Sequence, residues 1–311
     1  MRQNRDLTDS IWRNYRKKSI SHFQLAIKLK VYIEDLLKST ITNTHRISGG
    51  DISSAYHIGL NNSREYFVKC NSKTTAHEMF QKEQQGLELI AVSNSIAVPN
   101  VESIYHDEQL SAIIMDFIPC KNVDSKDMTT LGKELALMHE SSDSLYGLNS
   151  NNFIGSLNQH NNQTSNWVNF YAEQRLQPQL SLAVSSGLLS HSEIPSLNIM
   201  VNKLKDVIEV DKPSLLHGDL WGGNYLIRND DKPFLIDPAV YYGDKIVDIA
   251  MSQLFGGFSK DFYDSYFYWT PEVKHLEERI DLYQLYYLLV HLNLFGSSYH
   301  ASVKRILSRY F

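Results

Sequence analysis

The feature that most constrains this chain is a pair of apolar runs, each of which leads into polar residues. Leu215-Leu216 leads directly into His217-Gly218-Asp219, and Asn224 follows Asp219 with four residues between them. A second apolar run, Phe234-Leu235-Ile236, leads into Asp237. Two carboxylates and one amide therefore occur in a fixed order within one short segment.

This order of side chains fits phosphoryl transfer from a nucleotide. The reaction requires one carboxylate that orients and deprotonates a hydroxyl, and an amide oxygen and a second carboxylate that hold magnesium on the phosphates. Kinase catalytic loops carry the same Asp-x4-Asn spacing, followed by a metal-binding Asp on the next strand. We therefore predict that Asp219 is the catalytic base and that Asn224 and Asp237 are ligands of Mg²⁺.

A second interpretation of the same segment is a metal pair. His217 and Asp219 could bind a metal ion as in metallohydrolases, but no cluster of His, Asp or Glu elsewhere in the sequence completes such a ligand set. We expect His217 to be structural, as a buried imidazole that hydrogen-bonds the loop or the metal-binding segment. Asp248, at the start of a predicted helix, is expected to be an N-cap or a loop anchor.

Composition limits the classes of protein to which the chain can belong. Its 311 residues suffice for one large domain or two lobes, and its net charge of −5 argues against a dedicated nucleic-acid surface. With only Cys70 and Cys120, a disulfide framework is not indicated, and a reducing compartment is the simpler interpretation. The sequence has no membrane-length apolar run and no signal-peptide pattern, so the expected location is cytoplasmic.

Periodicity divides the chain into a front part with strands and a rear part with helices. The front part has predicted helices over 23–38 and 75–92, a hairpin at 55–60 and 66–69, and strands at 101–105 and 112–117. The rear part has predicted helices over 129–140, 166–184, 197–210, 246–254 and 272–295, and a short strand pair at 224–227 and 233–237. The polar, Asn-rich segment Asn149–Asn169 is predicted as a long surface loop.

This distribution predicts an α+β fold of the bilobal protein-kinase-like type. The β-rich N-lobe, with one helix packed on its sheet, would cover 23–118 and bind the nucleotide. The mainly helical C-lobe would cover 119–311 and carry the catalytic loop, the metal site and the acceptor site. Residues 1–22 are predicted as an N-terminal extension.

Lys69 and Glu83 form a predicted link between a strand and a helix. Lys69 ends the extended run Tyr66-Phe67-Val68, and alone it could be a solvated strand-end residue. Glu83 falls near the middle of the apolar face of the 75–92 helix, where a buried carboxylate needs a cationic partner. A Lys–Glu pair of this kind holds the α- and β-phosphates in kinases, and we predict one here. The alternative is that Glu83 lies at the rim of the apolar face and is solvated.

Two further segments are candidates for nucleotide contact. Gly49-Gly50 lies in a small-residue loop before the hairpin and could bring backbone N–H groups near phosphates, although the same pattern also fits an ordinary turn. Met115-Asp116-Phe117-Ile118 joins the two predicted lobes, and its backbone could hydrogen-bond an adenine edge. No Walker A pattern is present, so a P-loop NTPase is not supported.

The acceptor site is the least constrained part of the sequence. Trp221 lies in the loop between Asp219 and Asn224, where it could line the acceptor site or simply pack. The C-terminal half is rich in aromatic residues, most of which must belong to the core. Among them, Tyr241 and Trp269 are candidates to wall a cleft for a polyol with an apolar rim.

With these residues placed, the chain resembles the fructosamine-3-kinase (ketosamine-3-kinase) family, within the wider aminoglycoside-phosphotransferase and protein-kinase-like group. The resemblance extends from about Val31 to Phe311. It rests on the segments Phe67–Asn71, Met79-Phe80 with Glu83, Leu216–Asn224, Ile236–Asp244, Phe255–Phe258, Tyr283–Tyr286 and Leu294–Gly296. The tryptophan-containing catalytic loop and the Asp-Pro-Ala segment are specific to this family within the group.

The resemblance implies phosphorylation of the 3-hydroxyl group of a sugar attached to an amine, with ATP and Mg²⁺. Family acceptors are fructosamines, ribulosamines and erythrulosamines on lysine. The 3-phosphate makes the adduct unstable, so the reaction acts as deglycation repair. By matched position, the resemblance assigns to Lys69, Glu83, Asp219, Asn224 and Asp237 the roles given above.

Two positions depart from the family pattern. Gly222 stands where Ser is usual, which mainly affects the stiffness of the loop. Ile246 stands where Glu is usual, which is expected to weaken a polar contact near the acceptor side. The expected partners are ATP and a free or protein-bound ketosamine, with neither nucleic acid nor membrane, and a monomer is favoured. The alternatives are a kinase for an aminoglycoside, choline or a similar alcohol, and a pseudokinase that binds nucleotide without turnover.

Overall fold

The computed structural model describes residues 27–47, 53–270 and 273–311. They divide into two compact units: described residues up to Gln81 with Asn100–Phe117 form the first, and Lys82–Pro99 with Ile118–Phe311 form the second. The predicted extension at 1–22 and the predicted phosphate loop with Gly49 and Gly50 lie outside the described residues.

The first unit is built on a five-stranded antiparallel sheet. Its strands are β1 (Ile41–Ile47), β2 (Ser54–Leu60), β3 (Glu65–Asn71), β4 (Val101–His106) and β5 (Ser111–Asp116), in the spatial order β1-β2-β3-β5-β4. Strand β5 is buried over most of its length, as expected for a strand with neighbours on both sides.

Two helices contribute to the two apolar clusters of this unit. Helix α1, which covers 27–37 among the described residues, places Leu29, Ile33 and Leu37 in a cluster that includes Ile114 of β5. These three residues are four positions apart and form one stripe of the helix. Helix α2 (Ala76–Val92) begins in this unit, and its Phe80 packs in the cluster of Ile113. Because neighbouring strand residues point to opposite faces, α1 and α2 pack on opposite faces of the sheet.

The second unit is mainly helical. Its helices are α3 (Ser125–Met138), α4 (Trp167–Phe170), which continues through a π-helical turn (Tyr171–Leu176) into α5 (Gln177–Ser185), α6 (Leu197–Val207), α7 (Ile246–Leu254), α8 (Lys260–Trp269), α9 (Leu276–Phe295) and α10 (His300–Tyr310), with short 3-10 turns at His191–Glu193 and Ser297–Tyr299. Three antiparallel strand pairs accompany them: β6 (Asn152–Ile154) with β7 (Leu157–Gln159), β8 (Ser214–Leu216) with β11 (Tyr241–Gly243), and β9 (Tyr225–Ile227) with β10 (Pro233–Leu235).

Helix α9 lies in the core of the second unit. It packs against α5, α7 and α10, and its Tyr283, Tyr286 and Tyr287 are almost completely buried. Buried tyrosines need partners for their hydroxyl groups, and these three reach polar groups on other elements. In the described part of the chain, no helix combines the length and the apolar character that a bilayer crossing requires.

The predicted α+β class, with strands in front and helices behind, is confirmed. The hairpin at 55–69, the strand pair at 101–117 and the helix at 246–254 are present where they were predicted. The prediction of a surface loop over Asn149–Asn169 is wrong, because the segment contains the β6–β7 hairpin and buries several of its polar side chains. The elements that the prediction missed are β1, β6, β7, β8, β11, α8 and α10.

Candidate active site

Asp219 follows a short buried strand of the second unit. Leu216 at the end of β8 pairs with Tyr241 of β11, and both are fully buried, so the loop begins directly at the core. Gly218 has a φ of +81°, and a Cβ at this position would lie 2.1 Å from the Ala239 carbonyl oxygen. The loop therefore requires glycine between His217 and Asp219.

The buried Asp248 of α7 anchors this loop. Its Oδ2 accepts a hydrogen bond from the His217 N–H at 2.7 Å, and its Oδ1 accepts one from the Gly218 N–H at 2.9 Å. Nε2 of the buried His139, 109 residues away in sequence, also lies 3.1 Å from Oδ2. The expectation that Asp248 is a loop anchor is thus confirmed, whereas its partner His139 was not identified from the sequence.

His217 is structural, as expected. The Asp219 N–H donates to its Nδ1 at 3.3 Å, so the ring proton is on Nε2, which donates to the Ile236 carbonyl oxygen at 2.9 Å. Burial lowers the pKa of His217, which favours the neutral ring that these bonds require. The imidazole therefore connects the Asp219 loop to the residue that precedes Asp237.

Asn224 contacts Asp219 directly. Its Nδ2 donates to the Asp219 carbonyl oxygen at 2.8 Å and lies 3.3 Å from the Asp219 carboxylate. The intervening turn is closed by the Trp221 N–H, which donates to Asp219 O, and by the Asn224 N–H, which donates to Trp221 O. Because the amide nitrogen is engaged with Asp219, the amide oxygen points away and is the atom available to a metal ion.

Asp219 lies in an acidic environment. Burial raises the pKa of Asp219 to about 7, and the negative charges of Asp237 and Asp248 act in the same direction. The hydrogen bond from Asn224 acts against them. A carboxyl group with a pKa near neutrality is well suited to take a proton from a hydroxyl group.

Asp237 follows β10 with an unusual backbone conformation. Its φ is +54°, in the left-handed region, and the residue is partly exposed. The preceding Ile236 donates its N–H to the Asn224 carbonyl oxygen at 3.1 Å, which joins the segments that carry the two predicted metal ligands. Asp is among the few residue types with a side chain that adopt this conformation at low cost, so the sequence is compatible with the observed backbone.

The donor atoms of Asn224 and Asp237 fit Mg²⁺. An amide oxygen and a carboxylate are hard oxygen ligands, and magnesium in nucleotide sites commonly takes one or two protein ligands and completes its shell with phosphate and water. Among the described residues, no group of three or more His, Cys, Asp and Glu side chains that could hold a metal ion is found.

The remaining predicted nucleotide ligands lie in both units. Lys69 is a partly buried residue of β3 in the first unit, paired in register with Ala55 of β2 and Ile113 of β5. Glu83 is a partly buried residue of α2 and belongs to the second unit. Their predicted pairing remains a prediction.

The segment from Met115 to Ile118 leaves the sheet at the end of β5. Met115 is buried in the same apolar cluster as Phe80 of α2. The Asp116 N–H donates to the Asn100 carbonyl oxygen of the same unit. The ring of Phe117 stacks on His57 with centroids 3.8 Å apart. The Ile118 carbonyl accepts a hydrogen bond from a thiol two residues later. Adenine contact by this segment also remains a prediction.

The three acceptor-site candidates lie in different environments. Trp221 is 40% exposed and lies over Gly223, where a Cβ would be 2.3 Å from its ring. Trp269, 47% exposed, ends α8. Tyr241 has no exposed surface, and the Arg175 guanidinium lies 3.9 Å from its ring centroid. Tyr241 is therefore a core residue, and its prediction as a wall of an open cleft was wrong.

An open cleft lies near the loop of Asp219, and the three acceptor-site candidates are not among its lining residues. Its volume is about 440 Å³, and Tyr225 and Gly257 are among its lining residues. The Tyr225 hydroxyl donates to the Gly257 carbonyl oxygen at 2.8 Å, and a Cβ on Gly257 would lie 2.7 Å from the Cα of Gly222. The second unit thus places a glycine turn flush against the loop between Asp219 and Asn224.

Comparisons with known proteins identify the family of the chain. The fructosamine kinase family model matches residues 26–311. A probable ketoamine kinase from Vibrio parahaemolyticus is 36% identical over 268 residues, which cover 85% of this chain and 91% of that protein. A chloroplastic protein-ribulosamine 3-kinase from Oryza sativa subsp. indica is 38% identical over 277 residues, which cover 87% of this chain and 79% of that protein.

Solved structures extend the likeness to the fold. A fructosamine-3-kinase-type protein from Haemophilus somnus has a TM-score of 0.81 at 27% identity, and the match covers 91% of this chain and 96% of that one. A macrolide 2′-phosphotransferase of type I shares the fold, with a TM-score of 0.56 at 13% identity. On the family match and these identities, the chain belongs to the fructosamine kinase family.

Proposed function

We propose that this protein transfers the γ-phosphoryl group of ATP to the 3-hydroxyl group of a ketosamine. The observation that carries the proposal is the hydrogen-bonded unit in which Asn224 contacts Asp219 while His217 and Ile236 connect that loop to Asp237. Family membership supports ATP as donor. The names of the relatives, a ketoamine kinase and a protein-ribulosamine 3-kinase, support the acceptor class.

In this proposal Asp219 is the general base. Its carboxylate would accept a hydrogen bond from the sugar hydroxyl and then its proton, as the new oxygen–phosphorus bond forms and the bond to the ADP oxygen breaks. The pKa of about 7 makes Asp219 able to accept a proton near neutral pH. Most of the rate enhancement would come from positioning, to which Asp248 contributes by holding the loop of Asp219 in place.

The predicted nucleotide and metal ligands keep their roles in this proposal. The Asn224 amide oxygen and the Asp237 carboxylate would hold Mg²⁺, which when bound neutralises charge on the β- and γ-phosphates. Lys69 would contact the α- and β-phosphates, and Glu83 would orient Lys69. The backbone at 115–118 would hydrogen-bond the adenine edge.

The test of this proposal is phosphate transfer by wild type and Asp219→Asn to ribulosyl-, erythrulosyl- and fructosyl-lysine, with kanamycin and choline as competing acceptors. We expect wild type to consume a ketosamine and neither competitor. Asp219→Asn should bind ATP as wild type does and lose turnover by about a thousandfold, because the general base is removed. Wild-type rates in that variant, or transfer to kanamycin or choline alone, would refute the proposal.

Asp237→Ala separates metal binding from base catalysis. This variant should lose affinity for Mg-ATP as well as turnover, since one of the two protein ligands of the metal is removed. The matched measurement is ATP binding with Mg²⁺ and with EDTA. A loss that is equal in both conditions would show that Asp237 acts on the nucleotide without the metal.

A further inference from the structure

The Asn-rich segment and the π-helical turn enclose a buried polar network behind the metal-binding segment. Its members are Asn152, Gln159, Asn161, Arg175 and Tyr286, each at most 4% exposed. We call this set the amide network. It has no part in the roles proposed so far, and polar groups are buried at this density only when they satisfy one another.

The amide network ends on the backbone that follows Asp237. Nδ2 of Asn152 donates to the Val240 carbonyl oxygen at 2.8 Å, and Nε2 of Gln159 donates to the Ala239 carbonyl oxygen at 3.0 Å. These carbonyls belong to the second and third residues after Asp237. The network therefore holds the segment on its C-terminal side, while Asn224 and His217 hold it at Ile236.

Arg175 fixes the direction of the hydrogen bonds. An arginine side chain can only donate, so the oxygen of Asn161 must face its Nη2, which lies 2.7 Å away. The Asn161 nitrogen then donates to the Asn152 oxygen at 2.9 Å, which turns the Asn152 nitrogen toward Val240. The charge at one end thus orients the amide at the other.

Tyr286 has the corresponding role for Gln159. Its hydroxyl donates to Gln159 Oε1 at 2.8 Å, which leaves the Gln159 nitrogen for Ala239 and for the Asn152 oxygen. Ala239 in turn donates its N–H to the His217 carbonyl oxygen at 2.8 Å. A movement of Ala239 would therefore displace both the segment that carries Asp237 and the loop that carries Asp219.

The π-helical turn directs Arg175 into this network. The Gln177 N–H donates to the Ala172 carbonyl oxygen, five residues back, which is the π-helical pattern. The guanidinium of Arg175 is surrounded by neutral groups: the backbone oxygens of His160 and Gln174, the Asn161 amide and the rings of Phe170 and Tyr241. Among the described residues its Nε has no hydrogen-bond partner. A buried cation held by neutral groups is costly to maintain.

We infer that the amide network positions Asp237: Arg175 acts through Asn161 and Asn152, and Tyr286 acts through Gln159, to hold the segment that follows Asp237 in place. The inference rests on the proposed function, in which Asp237 is a ligand of Mg²⁺. The chemical class of ligand whose affinity it sets is a nucleoside triphosphate with a divalent cation. Affinity for the same nucleotide without the cation should not depend on the network.

The test uses two network variants and one control in the full chain. Tyr286→Phe removes the hydroxyl that orients Gln159, and Asn161→Asp keeps an acceptor for Arg175 but removes the donor to Asn152. The control is Tyr171→Phe, which removes another fully buried hydroxyl, one that donates to the backbone oxygens of Leu282 and Tyr283. Calorimetry measures the binding of a non-hydrolysable ATP analogue with Mg²⁺ and with EDTA, and thermal unfolding is recorded in parallel.

We expect both network variants to weaken analogue binding by about five- to tenfold in Mg²⁺ and to leave binding in EDTA within twofold of wild type. Tyr171→Phe should lower the unfolding temperature without changing either affinity. If the network variants match Tyr171→Phe in both conditions, the network is merely structural and the inference is refuted. If wild type itself binds the analogue equally with Mg²⁺ and with EDTA, the proposed metal role of Asp237 fails, and the inference fails with it.

Discussion

The catalytic-loop region at 214–248 and the Asn-rich region at 146–175 both bury polar groups, but they satisfy them by different chemistry. In the first region, the single carboxylate of Asp248 accepts from two backbone N–H groups and contacts His139. In the second region, neutral amides pass hydrogen bonds from one to the next, with one cation at the end. The first region thus depends on a single side chain, whereas the second depends on several side chains that are bonded to one another.

This difference determines how each region should respond to substitution. When a carboxylate that receives several donors is lost, all of those donors become unsatisfied at once. When one amide is lost from a chain, its two neighbours each lose one bond, and some of them retain another partner. We therefore expect one substitution in the first region to lower the free energy of unfolding strongly. Single substitutions in the second region should each lower it by a smaller amount.

Asp248→Asn should have the largest effect on stability. The amide that replaces the carboxylate would place one N–H group against another, so we expect the free energy of unfolding to fall by about 3 kcal/mol. Turnover should also fall, since the loop of Asp219 loses its anchor. Chemical denaturation and the ketosamine assay measure the two effects.

The matched control for this variant is Asp264→Asn in α8. Asp264 is 59% exposed at the side chain and forms a surface ion pair with Lys260. Its substitution should change the free energy of unfolding by less than about 0.5 kcal/mol. If both variants lowered the free energy of unfolding by the same small amount, the loop would not depend on Asp248. The contrast between the two regions would then disappear.

Asn161→Ala should have an intermediate effect. It removes one of the acceptors of Arg175 and one donor to Asn152, but Asn152 keeps its bond from Gln159, so we expect a loss of about 2 kcal/mol in the free energy of unfolding. Asn158, an exposed residue of the same segment, is the control. Asn158→Ala should stay within about 0.5 kcal/mol of wild type.

This pair of variants also tests the interpretation of the Asn-rich segment. A surface loop, as the composition indicated, would tolerate both substitutions equally. If Asn161 belongs to a buried network, only Asn161→Ala should show a large loss in the free energy of unfolding. Equal tolerance, measured by denaturation under the same conditions, would contradict the burial of Asn161.

The two regions also differ in how far they could be predicted from the sequence. Asp219, Asn224 and Asp237 lie within one segment with a characteristic spacing, so a local pattern suffices to select them. His139 and Asp248 meet across 109 residues, and the distance between them in sequence hides the contact. Arg175 was missed for a related reason, since nothing in its neighbourhood predicts a π-helical turn that points a cation inward.

Among the secondary structure elements, predictability followed the strength of the apolar pattern. Helix α7 was predicted at its observed bounds, and seven consecutive residues from Ile246 to Ser252 are buried. Helix α8 was missed because it buries only Phe262 and Tyr266, with aromatic and charged residues around them. The three-residue strands of the β6–β7 hairpin are too short for an alternating pattern to be recognised. Their polar residues were assigned to a loop because composition does not reveal which amides pair with each other.

Gly222, where this chain departs from the family pattern, should tolerate a small side chain with little loss of stability. A Cβ at this position would lie 3.0 Å from the Gly256 carbonyl oxygen and 3.1 Å from the Cα of Gly257, which is close but could be relieved by a shift of a few tenths of an ångström. Gly222→Ala and Gly222→Ser should therefore lower the free energy of unfolding by at most about 1 kcal/mol, and Gly222→Val by about 2 kcal/mol because its branched side chain meets backbone. Turnover should fall in the same order, since Gly222 itself lies between Asp219 and Asn224 in the sequence. If Ser were tolerated better than Ala, its hydroxyl would have found a partner, and the family's usual residue would have a role beyond stiffening the loop.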